Sequence, residues 1–176
     1  VINGYASDDT LSGLAGNDWL NGLSGADTLL GGDGDDRLDG GVGDDILDGG
    51  AGADVLVGGA DNNTYLLKIG SGQDVLVRNF FDTAAATDTI LVSAEIGLSG
   101  IELVRDGQDV LVQIRGTLDS IRLRDAMAND GIFENYSFKV KSADGSVLEG
   151  AALRQALLNG GAGNDVLTGY ATDDAM

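Results

Sequence analysis

The sequence contains no cysteine, no histidine and no proline among its 176 residues. Without cysteine there are no disulfide bonds and no thiolate chemistry. Without histidine, Ser-His-Asp triads and most zinc sites are excluded. Since proline is absent, the turns must be made by Gly, Asp and Asn, and 29 glycines are present. No apolar run is long enough for a membrane-spanning helix, so we expect no membrane span.

Basic residues are also scarce, at 10 Lys and Arg against 29 Asp and Glu, which gives a net charge of -19. Nucleic acid is therefore not an expected partner, because binding it requires a basic face. The imbalance is concentrated in residues 1–66, where thirteen Asp accompany one basic residue, Arg37. So many carboxylates repel one another and oppose a compact state. Something must neutralise them for this half to fold.

A nine-residue period runs through residues 4–66. Each of its seven units begins with Gly, six carry Asp at the sixth place, and the eighth place is Leu in every unit before Tyr65. The units are GYASDDTLS, GLAGNDWLN, GLSGADTLL, GGDGDDRLD, GGVGDDILD, GGAGADVLV and GGADNNTYL. Neither a helix nor an isolated strand has this period, whereas a short strand after a six-residue turn does.

Such a repeat places the eighth-place Leu side chains in an inner core and their neighbours outside. Glycines at the first, second and fourth places permit positive φ and close approach of neighbouring turns. Stacked turns would bring backbone carbonyls and sixth-place carboxylates into columns. Those charges are costly unless a hard, oxygen-seeking cation lies between successive turns, so the pattern predicts six- or seven-coordinate calcium sites.

The pattern GGxGxDxLx resembles the calcium-binding nonapeptide of the repeats-in-toxin (RTX) proteins. The resemblance implies an all-β fold, a right-handed parallel β-roll over residues 1–77 with two units in each coil. It implies about five calcium ions with carboxylate ligands and with carbonyl ligands from the glycine-rich turns. The implied carboxylates are Asp9, Asp18, Asp27, Asp36, Asp45 and Asp54, and the implied turn glycines are Gly22, Gly25, Gly31, Gly34, Gly40, Gly43, Gly49 and Gly52.

Both end units depart from the pattern. The first unit has Ser7 at its fourth place, and the seventh has Asp61 and Asn63 in place of Gly and Asp. After Leu66 the period slips by two places and resumes once as IGSGQDVLV, residues 69–77. This segment is either a closing strand of the roll or one more calcium turn that uses Asp74, and the two readings are compatible.

Residues 78–159 show a different pattern, with period-two alternation typical of strands. Hairpins are predicted around Asp106-Gly107 and Asp144-Gly145, a strand over residues 119–125, and a helix near residues 149–158. This succession resembles the strand-rich domain that follows β-rolls in hemolysin-type calcium-binding proteins. We expect it to be a capping region that covers the open edge of the roll.

The end of the sequence repeats its beginning. GYATDDAM at residues 169–176 follows the well-formed unit GGAGNDVLT and matches GYASDDTL, with Gly169 in register with Gly4. We therefore expect residues 160–176, including a further ligand at Asp165, to be the start of the next roll. Neighbouring repeat modules of one parent chain are the implied partners.

Two functions follow from these expectations. The first is a calcium-folded structural module, one unit of a tandem array in a large secreted or cell-surface protein of the adhesin type. The alternative is the non-catalytic secretion and stability region of a secreted RTX protease, lipase or toxin. Both imply an extracellular location and, by resemblance, type I secretion. A glycan or protein ligand of the strand-rich half stays open. The paired aspartates are explained by the period, so the chain is not expected to be an enzyme.

Overall fold

A computed structural model describes residues 1–77, 86–126 and 137–158, and the predicted roll start at residues 160–176 with Asp165 lies outside them. Short strands dominate the described part, with one 3-10 turn at Leu98–Gly100 and one α-helix. The elements are β1 (Ile2–Asn3), β2 (Thr10–Ala15), β3 (Trp19–Ser24), β4 (Thr28–Asp33), β5 (Arg37–Val42), β6 (Ile46–Ala51), β7 (Val55–Ala60), β8 (Thr64–Leu67), β9 (Gln73–Leu76), β10 (Thr87–Val92), β11 (Ile101–Asp106), β12 (Asp109–Ile114), β13 (Ser120–Leu123), β14 (Ser137–Ser142), β15 (Val147–Leu148) and α1 (Gly150–Leu158).

The strands form two sheets, and within the repeats successive strands belong alternately to one sheet and to the other. One has the order β1-β3-β5-β7-β9-β13-β12-β11, and the other the order β15-β14-β10-β8-β6-β4-β2. Within the repeats all pairing is parallel, and each strand pairs with the strand two units further along, as Leu20 with Leu38 and Leu29 with Leu47. Two nonapeptides therefore make one coil, and the predicted all-β parallel β-roll is confirmed.

The core between the sheets is the eighth-place column. The side chains of Leu20, Leu29, Leu38, Leu47 and Leu56 are fully buried, and Tyr65 continues the column with 1% exposure. Burial of each leucine contributes about 1.5–3 kcal/mol, so this column is the main apolar contribution to folding of the repeats. At the outer edge, Leu11 is only partly buried.

Left-handed backbone recurs at the second place of the repeat. Gly41 has a φ of 106°, and a Cβ there would overlap the carbonyl of Leu23 in the preceding coil. Leu14 in the second unit and Leu23 in the third hold the same left-handed conformation, with φ of 73° and 80°. Their side chains are exposed, so these two places accommodate a leucine although its backbone is left-handed.

Both sheets continue into the second half of the chain. β8 pairs in parallel with β10, which pairs with β14, and β9 pairs in parallel with β13. The two hairpins form as predicted, β11 with β12 and β14 with β15. The helix α1 buries Leu153 and Leu157 against this region. The division of the chain near residue 77 stays a prediction.

Within the described ranges no helix is long and apolar enough to cross a bilayer.

Candidate metal sites

The sixth-place carboxylates stack in two columns because each coil lies directly above the previous one. In one column Asp9 N–H donates to Asp27 Oδ1 at 2.8 Å and Asp27 N–H to Asp45 Oδ1 at 2.8 Å. In the other column each aspartate N–H likewise donates to Oδ1 of the next aspartate. These bonds are Asp18 to Asp36 at 2.7 Å, Asp36 to Asp54 at 2.7 Å and Asp54 to Asp74 at 3.2 Å. Each carboxylate is thus held by the backbone of the coil before it.

The second oxygen of these carboxylates is buried without a hydrogen-bond donor. This holds for Oδ2 of five residues, Asp27, Asp36, Asp45, Asp54 and Asp74. All five residues are at most 3% exposed. A buried carboxylate oxygen without a partner is strongly unfavourable, so each one requires a proton or a cation.

The glycines of the repeat bring backbone oxygens to the same places. At Gly22, an added Cβ would come closer than 3.0 Å to both Asp27 Oδ2 and the carbonyl oxygen of Gly40, one coil further on. The same pairing of a carboxylate with a carbonyl occurs at Gly31 and Gly40. Only glycine leaves this space to two oxygens, which explains the first place of the repeat.

The remaining predicted turn glycines fit the same geometry. At Gly49 the carboxylate of Asp54 occupies the space of a Cβ. The fourth-place glycines after Gly16 adopt φ between 127° and 152°, and a Cβ on any of them would overlap backbone atoms of the preceding coil. These fourth-place residues are Gly25, Gly34, Gly43 and Gly52.

The donor set consists of oxygen atoms alone. No point in the described residues is surrounded by three acidic side chains, so a cation would combine few carboxylates with backbone carbonyls. Calcium accepts such mixed oxygen ligands in flexible geometry, whereas zinc prefers nitrogen and sulfur. The residues present therefore fit calcium, although the ligand assignment itself stays a prediction.

The electrostatics of the columns agree with this fit. Burial raises the pKa of Asp45 to about 7 and that of Asp74 to about 8, opposed by the hydrogen bond from the preceding aspartate N–H. Burial also raises the pKa values of Asp36 and Asp54. Without a cation, Asp45 and Asp74 titrate near neutral pH, and a bound cation would take the place of their protons.

The first unit differs from those that follow. Asp9 Oδ2 accepts a hydrogen bond of 2.6 Å from Tyr5 N–H within its own turn, and Asp9 is only partly buried. Asp18 is partly buried as well. Both lie in the outermost coil, so their environment is more polar than that of Asp27 or Asp36, and their roles as ligands stay predictions.

Three sets of carboxylate and amide side chains join the coils or their turns but were not predicted from the sequence. The first is a ladder at the fifth place, where an Asp or Asn Oδ1 accepts the fifth-place N–H of the next coil. Its bonds are Asp8 to Ala26 at 2.8 Å, Asn17 to Asp35 at 3.1 Å, Asp35 to Ala53 at 3.0 Å and Asp44 to Asn62 at 2.9 Å. The recurrence of Asp or Asn at this place was the available signal.

The second missed residue is Asp88, which continues one carboxylate column beyond the repeats. Its Oδ1 accepts the Asn63 N–H at 2.9 Å, and the residue is 6% exposed. The segment TDTIL at residues 87–91 matches ADTLL at residues 26–30, so a motif comparison would have found it.

The third missed residue is Asp119, from the strand-rich half. Its carboxylate accepts the N–H groups of Gly70 and Gly72 at 3.0 and 2.9 Å. It thereby fixes the turn that precedes Asp74, at the point where the period slips. No local sequence signal links residues this far apart.

Stacked coils, carboxylate columns and glycine-lined oxygen clusters define a repeat protein built around cations. Residues 1–29, 30–65 and 157–176 match the family model of the RTX calcium-binding nonapeptide repeat, with four copies. The chain is therefore an RTX-type repeat protein, and its repeats form a calcium-binding structural module. The match is to the repeat and not to a catalytic domain. No curated protein matches the chain.

Proposed function

We propose that this chain is a calcium-folded structural module of a secreted or cell-surface protein, one unit of an adhesin-type tandem array. The observation that supports it best is the set of five buried carboxylate oxygens without a donor, four in repeat units and one at Asp74 in the segment that follows them. Calcium between the turns would supply the missing partner. The carboxylates and carbonyls described above would hold the ions, and the ions would neutralise the repeats.

The energy available from calcium is large enough to control folding. We assume about five sites with dissociation constants of about 0.1 mM, in the range of extracellular modules. At about 10 mM calcium each site adds about 2.7 kcal/mol, or about 13 kcal/mol in all. This equals the whole stability of a typical domain. At cytosolic calcium the contribution vanishes, and carboxylate repulsion prevails.

The dependence of folding on calcium is compatible with export of the unfolded chain. RTX repeats are typical of secreted proteins, and a chain that stays unfolded at low calcium could leave the cell before folding outside it. The recurrence of GYASDDTL as GYATDDAM supports a tandem arrangement of rolls over an export region attached to an enzyme. The sequence of the whole parent protein distinguishes the two, since a catalytic domain beside a single roll would favour the export role.

The direct test compares the far-UV circular dichroism of the chain in calcium and in EGTA. We expect loss of the β spectrum on chelation and its return on adding calcium. Asp45→Ala should weaken calcium binding cooperatively and lower the stability in saturating calcium by about 2.7 kcal/mol. The matched control is Asp33→Ala, which removes the same charge from an exposed place of the same roll. A full β spectrum in EGTA, or an unchanged titration of Asp45→Ala, would contradict the proposal.

A further inference from the structure

The seventh unit, residues 58–66, departs from the others at the two places that define the repeat. Asn63 stands where the other units have the aspartate, and Tyr65 stands where they have the leucine. Both residues are 1% exposed. The backbone of the turn is nevertheless conventional, because Asp61 adopts a φ of 70° where most other units have a left-handed glycine. Only the side chains differ.

In the seventh unit, hydrogen-bond donors lie where the other units have oxygen acceptors. At Gly22, Gly31 and Gly40 the space of a Cβ lies beside an aspartate Oδ2 and the carbonyl of the next coil. At Gly58 the same space lies beside the amide nitrogen of Asn63 and the hydroxyl of Tyr65. An N–H and an O–H group thus lie beside Gly58, where the other turns have a carboxylate oxygen.

These donors have acceptors within the protein. Asn63 Nδ2 donates to the carbonyls of Ala60 and Asp61, each at 3.4 Å, and Tyr65 Oη donates to Asp88 Oδ2 at 3.5 Å. Asn63 Oδ1 accepts the N–H of Asp45 at 3.0 Å, as an aspartate would. The carboxylate ladder therefore passes through this unit, although its side chain is neutral and fully hydrogen-bonded.

We infer that no calcium ion binds at the Asn63 position, because Asn63 and Tyr65 fill the cation position of this turn with donors of their own. The inference rests on the proposed function for the preceding turns. It follows that the roll has one coil edge, next to β10, whose order does not depend on the metal. β8 lies there between β6 and β10, so this edge can serve as a template for the calcium-dependent coils.

The first test is hydrogen exchange of the full chain in EGTA. We expect the amides of residues 63–67 to exchange slower than those of residues 28–51 by a factor of about ten or more. Saturating calcium should protect residues 28–51 and leave residues 63–67 nearly unchanged. Equal exchange of both segments in EGTA, with equal gain on adding calcium, would overturn the inference.

The second test restores the repeat pattern. Asn63→Asp combined with Tyr65→Leu should bind one more calcium ion per chain than the natural sequence, measured by calorimetric titration and by metal analysis. Tyr65→Phe is the control, since it removes the hydroxyl but supplies no carboxylate, and should bind the natural number. A folded double variant with the natural number of ions would contradict the inference.

The outcomes separate this inference from the proposed function. If the natural chain binds no calcium, the proposed function fails. If it binds calcium but the double variant gains no ion and residues 63–67 behave as the other repeats in exchange, only the inference fails. Should the double variant not fold, the exchange experiment on the natural chain decides alone.

Discussion

At the scale of residues, two neighbouring aspartates of one turn have different tasks. Asp45 is buried, and its carboxylate accepts an N–H from the coil before it while its Oδ2 lacks a donor. Asp44 is exposed, and its Oδ1 accepts the N–H of Asn62 in the coil after it. One residue provides charge in the column, and the other provides a hydrogen-bond acceptor that keeps successive turns in register.

This difference predicts that replacing Asp by Asn has little effect at position 44 but weakens calcium binding at position 45. Asp44→Ala should lower the stability in calcium by about 0.5–1.5 kcal/mol, the net contribution of one hydrogen bond, whereas Asp44→Asn should keep most of it because the amide oxygen can accept the same bond. Asp45→Asn should retain the bond to Asp27 N–H yet lose calcium affinity. Thermal melts and calcium titrations of the three variants test this. If Asp44→Asn is as damaging as Asp44→Ala, the ladder is not the reason for the fifth-place residue.

At the scale of elements, the unit of construction is the coil of two nonapeptides and not the single nonapeptide. Strand pairing, both ladders and the carbonyl contacts all join positions 18 apart within the repeats. These pairings and hydrogen bonds join adjoining coils, so stability adds up from neighbour to neighbour. A change in length that respects this period should leave every contact type in place.

Deletion of residues 31–48 removes one complete coil and should give a chain that still folds in calcium, with a lower melting temperature and fewer bound ions. Deletion of only residues 31–34 takes away far less sequence, yet it destroys a turn and moves Leu38 out of the core column. We expect this shorter deletion to prevent cooperative folding of the repeats, as seen by circular dichroism in calcium. Equal stability of the two deletions would show that the coil period does not govern the fold.

At the scale of the whole molecule, the charge is divided unevenly between the repeats and the strand-rich half. Residues 67–159 carry thirteen acidic and nine basic residues, so they are nearly balanced, in contrast to residues 1–66. Several of these bases form ion pairs, such as Arg122 with Asp106 and Asp109 at 2.8 and 2.9 Å. In the repeats, Asp48 pairs with Lys68 at 2.6 Å and Asp39 with Arg37 at 3.7 Å, and the buried sixth-place carboxylates are left to protons or cations.

The pH dependence of the calcium-free chain follows from the raised pKa values. The pKa values of Asp45 and Asp74 are about 7 and about 8 in the fold, against an ordinary value of 3.8. Between the ordinary and the raised values the folded state binds more protons than the unfolded state, so the stability of the calcium-free fold decreases as the pH rises. We expect more β structure at pH about 5.5 than at pH about 8.5 in calcium-depleted buffer.

Calcium should reverse this trend, because binding displaces protons and strengthens as the pH rises. The measurement is a series of thermal melts across the pH range in resin-depleted buffer and in saturating calcium. Asp45→Asn combined with Asp74→Asn should flatten the calcium-free profile. Stability that increases with pH in the absence of calcium would contradict the assignment of the protons to these carboxylates.

The repeats could be predicted from sequence in detail, because their period fixes both the core and the turns. Each eighth-place leucine from Leu20 to Leu56 is buried as the pattern requires, and the carboxylates stack in columns as expected. Asp119 and its bonds to the turn at Gly70 could not be predicted, since tertiary pairing brings them together. The strand pairing after β8 could not be predicted either. The spacing of 18 between paired positions is lost there, as the pairs Val55 with Val75 and Thr64 with Thr89 show.

The stacking of coils that touch only their neighbours has a mechanical consequence. A pull applied to the two ends of the roll would load the outermost coil first and release coils one after another. Each release frees two nonapeptides, which can extend by about 60 Å. If calcium folds the coils as proposed, a released coil would close again in calcium, and an array of such rolls would lengthen in steps under tension and shorten when the tension falls.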